Sequence, residues 1–478
     1  MDKNKLLSAV IQNAIQRCDH ARQPGCDRPG EPVGTLVIGA VALLGCVAPG
    51  LAAEGQTGLK YSGSIRVRQE ELDGQYRPGF DNHDDVLVLR SILFAEYDAG
   101  TWRFGGELGD SRAYDTDPGS ALTANDVDTF EPVQAYVAAD FGAPFGKGSS
   151  ATVQAGRFTM NVGSRRLIAS DEFRNTPQGY AGARADLKFA GRRSATLFYV
   201  LPQQHRPDGF TAVRDNEVKL DHEERDQQLF GALLSRAGLP GGLLAEAGFV
   251  RFIEHDTGVR ATRNRGLSNF SARVVRDAVP GQWDYEVEAI AQTGRVRAGT
   301  ALNAEGLSAH SHFIHVDLGY TLAGSWKPHI NLEWDYASGD GPGMRFSRFD
   351  TLYGMRRSEL APSGIYGAIG RANINAWGLR LEGSPTNRLD VLTTWKWLWA
   401  ADRHDAFSTT GIRDAGGDAG SFAGQQLDAR LRYWVVPQRL RAELNAVWLL
   451  RGRLLQRAPN ASPHGDTHYG TAALTLSF

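Results

Sequence analysis

From Leu59 to Phe478, apolar and polar residues alternate with a period of two in one segment after another. Successive side chains of an extended chain point to opposite sides, so this period predicts strands with one apolar and one wet face. Tyr61, Gly63, Ile65 and Val67 alternate with Ser62, Ser64, Arg66 and Arg68. Ile330, Leu332, Trp334 and Tyr336 alternate with Asn331, Glu333 and Asp335, and Leu427, Ala429, Leu431 and Tyr433 with Asp428, Arg430 and Arg432. The 3.6-residue period of an amphipathic helix does not dominate, which excludes a helical bundle.

Alternation alone fits a soluble sandwich as well as a membrane barrel, and the connections decide between them. Short links fall near 98–101, 140–150, 190–193, 239–242, 277–282, 323–326, 384–388 and 436–439. Long polar stretches at 73–85, 113–128, 163–178, 202–225, 255–265, 296–310, 337–375, 402–424 and 452–466 lie between them. A sandwich has no reason for such asymmetry, whereas outer-membrane barrels join strands by short periplasmic turns and long outer loops. The expected fold is an all-β transmembrane antiparallel β-barrel of about eighteen strands, with both termini periplasmic and a lumen wide enough for water. Tyr97, Trp102, Tyr320, Trp326, Trp395, Trp397, Trp399, Tyr433, Trp434 and Trp448 near strand ends suit interfacial girdles. Outside the leader, no run approaches the ~18 apolar residues of a membrane helix.

The leader spans Val33 to Ala53, uncharged, after a stretch bearing Lys3, Lys5, Arg17, Arg22 and Arg28. This order reads as a secretory signal cut after Ala52 or Ala53, giving a 1–53 signal segment with an N-terminal extension and a 54–478 barrel in the outer membrane. Leu43-Leu44-Gly45-Cys46 offers a rival lipoprotein site, and an anchoring helix is a second rival. Cys18, Cys26 and Cys46 all precede the cut, so the mature chain is expected to lack disulfides and thiol chemistry. With 52 basic and 54 acidic residues the net charge is -2, and no nucleic-acid partner is expected. The chain ends Ala472, Leu474, Leu476, Phe478 on one face, and the terminal Phe resembles the signal read by the barrel-insertion machinery.

Several stretches resemble the alginate export family of outer-membrane barrels. They are Gly105 to Ala113 (GGELGDSRA), Gln134 to Val137, Gly156 to Met160 with Gly163 to Leu167, Phe173 to Thr176, Asp335 to Asp340, Phe349 to Tyr353 and Pro362 to Gly367. The resemblance implies an eighteen-stranded, monomeric channel that conducts an anionic exopolysaccharide out of the periplasm, with basic side chains meeting uronate carboxylates. Arginine suits that task, since its planar fork meets a carboxylate with two hydrogen bonds. The alternative function is a general or nutrient-uptake porin for small anionic or sugar-like solutes.

Strand parity tests the lumen. The wet faces carry Arg66, Arg68, Arg90, Arg380, Lys396, Arg430, Arg432, Arg439 and Arg441, together with acids such as Glu107 and Asp335. The lumen is therefore mixed, with a basic stripe where the last strands meet the first, or with opposed charges merely paired across strands. Arg157 shares the parity of Val153 and Ala155 and should face lipid; the family motif instead gives it a lumen role, which requires a bulge, unless it lies near the rim. Arg165 and Arg166 read as a solvated outer loop, with a loop folded inward as the alternative.

No catalytic motif appears, and neither a cofactor nor a metal site is expected: the twelve His are scattered, and Gly142 to Gly148 departs from the phosphate-loop spacing. A hydrolase with dispersed residues, a TonB-type receptor and calcium in Asp81–Asp85 or Ser338–Gly341 are weaker alternatives.

Overall fold

A computed structural model describes residues 57–170, 173–258, 260–355, 359–367 and 369–478. The leader, with Cys46 and the proposed cleavage site, lies outside the described residues. The strands are β1 (Gly58–Asp73), β2 (His83–Asp98), β3 (Trp102–Tyr114), β4 (Asp128–Gly142), β5 (Ser150–Thr159), β6 (Gly179–Phe189) and β7 (Arg193–Pro202). They continue with β8 (Gln227–Leu239), β9 (Leu243–Glu254), β10 (Gly266–Arg276), β11 (Trp283–Arg297), β12 (Gly306–Thr321) and β13 (His329–Ala337). The last are β14 (Arg345–Phe346), β15 (Ile374–Thr386), β16 (Leu389–Trp399), β17 (Phe422–Val436), β18 (Leu440–Arg451) and β19 (Thr467–Ser477). Two short helices, α1 (Phe210–Arg214) and α2 (Arg453–Arg457), lie in long connections.

Strand β14 is a two-residue piece of the connection after β13, pairing in parallel with β12. The other eighteen form one antiparallel ring, closed because β1 pairs with both β2 and β19. The registers follow the alternation: Ile314, Val316 and Leu318 oppose Tyr336, Trp334 and Leu332. Among the described residues, short turns join the strands on the side of the termini and long connections on the other, which sets the periplasmic and extracellular ends.

The outward rows are apolar and exposed to their surroundings, as Leu93, Phe104, Leu332, Leu379 and Leu444 show. In bilayer this is the stable face, and backbone groups are satisfied only because the ring has no edge. Trp334 and Trp377 stack at 5.6 Å on this surface, and Trp395 and Trp448 stand exposed beside it. Trp434 departs from the girdle expectation. It pairs across strands with Arg441, whose guanidinium lies 5.7 Å from its ring, on the inward face.

The core lies inside the ring, toward the extracellular end. Inward-facing Leu72, Val86, Val88, Phe198 and Val200 share one buried cluster with Ile168, Ile365, Tyr366, Phe407 and Ile412 of the long connections. An eighteen-stranded ring leaves space that side chains alone cannot fill, so apolar loop residues leave water by folding into it. A glycine marks a close approach in the wall. Gly156 has φ +123°, and a Cβ there would sit 2.3 Å from the Ala135 carbonyl oxygen of β4.

Candidate functional site

The inward rows of β17, β18, β1 and β2 carry the basic residues that alternation assigns to them. Arg66 of β1 stands directly opposite Arg90 of β2, and Thr475 of β19 links Arg66 to Arg441 of β18 in register. Arg430 and Arg432 of β17 pair in register with Asn445 and Glu443 of β18, and Arg432 Nε donates to Glu443 at 2.6 Å. Basic side chains thus line the closing seam in register, and one cross-strand ion pair of the rival kind, Arg432 with Glu443, lies among them.

The opposite wall is acidic. Asp284, Glu286 and Glu288 of β11 and Asp317 of β12 adjoin Glu333 and Asp335 of β13. Their charge is balanced locally. Lys396 donates to Glu333 at 2.7 Å and lies 3.6 Å from Asp335, Arg380 reaches Glu333 at 2.9 Å, and His315 Nδ1 contacts Asp335 at 2.8 Å. Arg273 of β10 bridges Glu246 and Glu286. Glu107 faces inward on β3 and accepts from Gln134 at 2.9 Å.

The connection from β5 to β6 joins these two walls. At one end Ser164 donates to Glu288 at 3.0 Å, and Arg166 pairs with Glu286, Glu288 and Glu359. At the other, Arg68 donates to the Phe173 carbonyl at 2.6 Å and Arg66 to the Arg174 carbonyl at 2.9 Å, while Asn175 bonds the Leu89 carbonyl of β2. Strand β11 is ten steps around the ring from β1 in one direction and eight in the other, so this connection is a strap across the lumen. Burial by itself lowers the pKa of the Arg166 guanidinium, but Glu359, Glu288 and Glu286 more than offset it and raise it well above the ordinary value. Arg371, fully buried, takes the second oxygen of Glu359 and the Met355 carbonyl.

Three expectations change. Arg166 is buried at 4% exposure rather than solvated in an outer loop, because three carboxylates within the barrel hold it. Arg157 is not a lumen residue. It keeps the outward parity of Val153, near the extracellular end of β5, where Glu131 and Glu223 pair with it at 2.7 and 2.8 Å. Arg439 precedes β18 and lies exposed in a periplasmic turn. Sequence reasoning missed Arg371 and Glu359 altogether, although the strap's two anchors lie within the stretches Gly163–Leu167 and Phe173–Thr176 that carry the family resemblance.

A second connection is tuned by burial. Asp126, before β4, accepts from the Thr123 backbone N–H and hydroxyl at 3.1 and 3.2 Å. Burial, then the charge of Glu70, pushes its pKa from 3.8 up to about 6. The folded state therefore binds this proton more tightly than the unfolded one, so stability falls as pH rises from about 4 to about 6 and stays lower above that. Protease protection of the 115–127 connection should be weaker at pH 7 than at pH 5, and Asp126→Asn should flatten the difference; equal protection at both pH values in the unsubstituted chain would refute it.

The family model for alginate export matches residues 58–467. A search of curated proteins gave no match. Among solved structures, the chain is similar to a BenF-like porin from Pseudomonas fluorescens, at 12% identity over 87% of this chain and 99% of that one, with a TM-score of 0.54. It is also similar to Pseudomonas aeruginosa OccK5 (OpdH), at 10% identity, 87% and 98% coverage and a TM-score of 0.52. A third is Pseudomonas aeruginosa OccK2 (OpdF) in complex with glucuronate, at 14% identity, 87% and 96% coverage and a TM-score of 0.51. At these identities the solved structures speak for the fold alone, that of an outer-membrane barrel. With the family match over most of its length and the closed ring, the chain belongs to the alginate export family and is an integral outer-membrane β-barrel channel.

Proposed function

We propose that this channel conducts an anionic, uronate-bearing polysaccharide out of the periplasm by passive passage along its charged lumen. The observation that carries the reading is the inward basic stripe of Arg90, Arg430, Arg432 and Arg441 at the closing seam, with Arg66 between them holding the strap. A hydrated polymer can slide along such a stripe, because each guanidinium–carboxylate contact is exchanged for the next without any contact holding the chain. Glu443 and the acidic wall opposite keep the grip weak enough for release. A second reading, uptake of small anionic or sugar-like solutes, draws support from the strap, which narrows the lumen, and from the glucuronate complex of the similar barrel OccK2.

Ion selectivity of the purified protein in a planar bilayer, with and without added polyuronate and with free glucuronate, tests the two readings. Anion selectivity with block by polyuronate, relieved in Arg430→Glu/Arg432→Glu, is the expected result. Block by glucuronate alone would favour solute uptake. A weakly selective channel indifferent to both would overturn the polysaccharide reading.

A further inference from the structure

The extracellular end of β4 meets the connection between β7 and β8 in a cluster that no alternation or motif reveals. Asp128 of β4 and His205 and Asp221 of the connection each offer one donor atom, and these atoms all lie within 4.8 Å of one another. Both aspartates are buried, at 3% and 4% exposure. Asp221 is held in place: its Oδ1 accepts the Arg206 backbone N–H at 2.7 Å, and its own N–H donates to Glu131 Oε2 at 2.8 Å. Its Oδ2 is left facing His205 Nδ1 at 2.9 Å. Asp128 completes the cluster from the wall. Its Oδ1 is buried and accepts no hydrogen bond among the described residues. A buried carboxylate oxygen without a donor is costly, and such groups are ordinarily paired or bound to a metal.

We propose that Asp128, His205 and Asp221 bind a divalent transition ion of the Zn2+ class, which clips the 203–226 connection to the barrel wall. Two carboxylate oxygens and one imidazole nitrogen are three ligands of a tetrahedral site, with water for the fourth. The imidazole and the small number of protein donors disfavour Ca2+, which takes six to eight oxygens. The two carboxylates balance the ion's charge, and Glu131 is already neutralised by Arg157 at 2.7 Å. The ion would compensate the buried Asp128 carboxylate. It would also fix the inner side of the connection, where His205, Arg206 and Asp208 line a cavity of about 450 Å³ with Arg260, Arg265 and Tyr353. This inference does not depend on what the channel conducts.

The test uses the tag-free full-length protein in detergent, stripped with chelator and titrated with Zn2+ alone. One Zn2+ per chain is expected, with affinity weakened about tenfold or more in His205→Ala and in Asp128→Asn, by the scale of lost metal-site interactions. Excess Ca2+ should not compete, and Zn2+ should slow proteolysis within 203–226. Heat-modifiable migration reports whether each variant has formed its barrel; should Asp128→Asn fail there, the deciding variant is His205→Ala, which alters a side chain outside the strands. No stoichiometric Zn2+ in the unsubstituted chain, or unchanged affinity in His205→Ala, would overturn the assignment.

Discussion

Replacing Arg166 with alanine should release one end of the strap and raise single-channel conductance several-fold. The substitution leaves Glu286, Glu288 and Glu359 facing one another around an emptied position, with Arg273 and Arg371 beside them. Removing one partner of a buried ionic cluster costs about 3–5 kcal/mol, chiefly because the remaining charges stay buried. That cost falls on the docked state of the connection, not on the ring, whose backbone ladder the substitution leaves untouched. Heat-modifiable migration should thus be preserved while conductance rises. Arg165→Ala is the control, because the ion pairs that dock the strap run through its neighbour Arg166. Unchanged conductance in Arg166→Ala, with the barrel formed, would show that the strap is held by its Phe173–Asn175 end alone.

The second large effect should come from Lys396→Met, read as the temperature at which the barrel loses its compact migration. Lys396 of β16 is 2% exposed and serves both Glu333 and Asp335, which are themselves buried on β13, two strands away. Methionine keeps the apolar length of the side chain and deletes the charge, so Arg380 and His315 are left to face two carboxylates. A loss of about 3–5 kcal/mol is expected from an uncompensated buried carboxylate. Combining it with Glu333→Gln should recover much of the loss, since the surplus charge is then removed as well. Failure of that rescue would mean that Lys396 matters for packing rather than for charge.

The wall was legible because its rule is local. A period of two fixes which residues of a strand share a face, so Arg66, Arg90, Arg430 and Arg432 could be placed inward from neighbours two positions away. The alternation of short and long links likewise gave the strand number and the position of both ends. Arg157 shows that the local rule can outweigh a motif: its parity pointed outward, and the structure keeps it there beside Glu131 and Glu223. The interior was not legible. Arg166 and Glu286 are 120 positions apart, and Arg66 and Asn175 are 109 apart. No periodicity spans such distances. The connections read as polar and solvated because Ile168, Ile365, Tyr366 and Phe407 are scattered among Gly, Ser and charged residues, with no repeat to mark a buried face. Asp128, His205 and Asp221 were beyond reach for the same reason, since neither metal-ligand spacing nor a shared element unites them.

The core inside the ring also dictates an order of assembly. Tyr366 of a long connection stacks on Tyr469 of β19 at 5.4 Å and meets the tilted ring of Tyr76 near β1 at 5.6 Å, while the Tyr469 hydroxyl donates to Glu70 of β1 at 2.7 Å. One apolar nucleus therefore draws on the first strand, the last strand and a segment between them. Contacts of such sequence separation carry the largest loop-closure cost and form late. Tyr366 reaches its stacking partner only when β19 closes against β1. Until then its ring is exposed apolar surface of the kind that makes unfinished chains prone to aggregate.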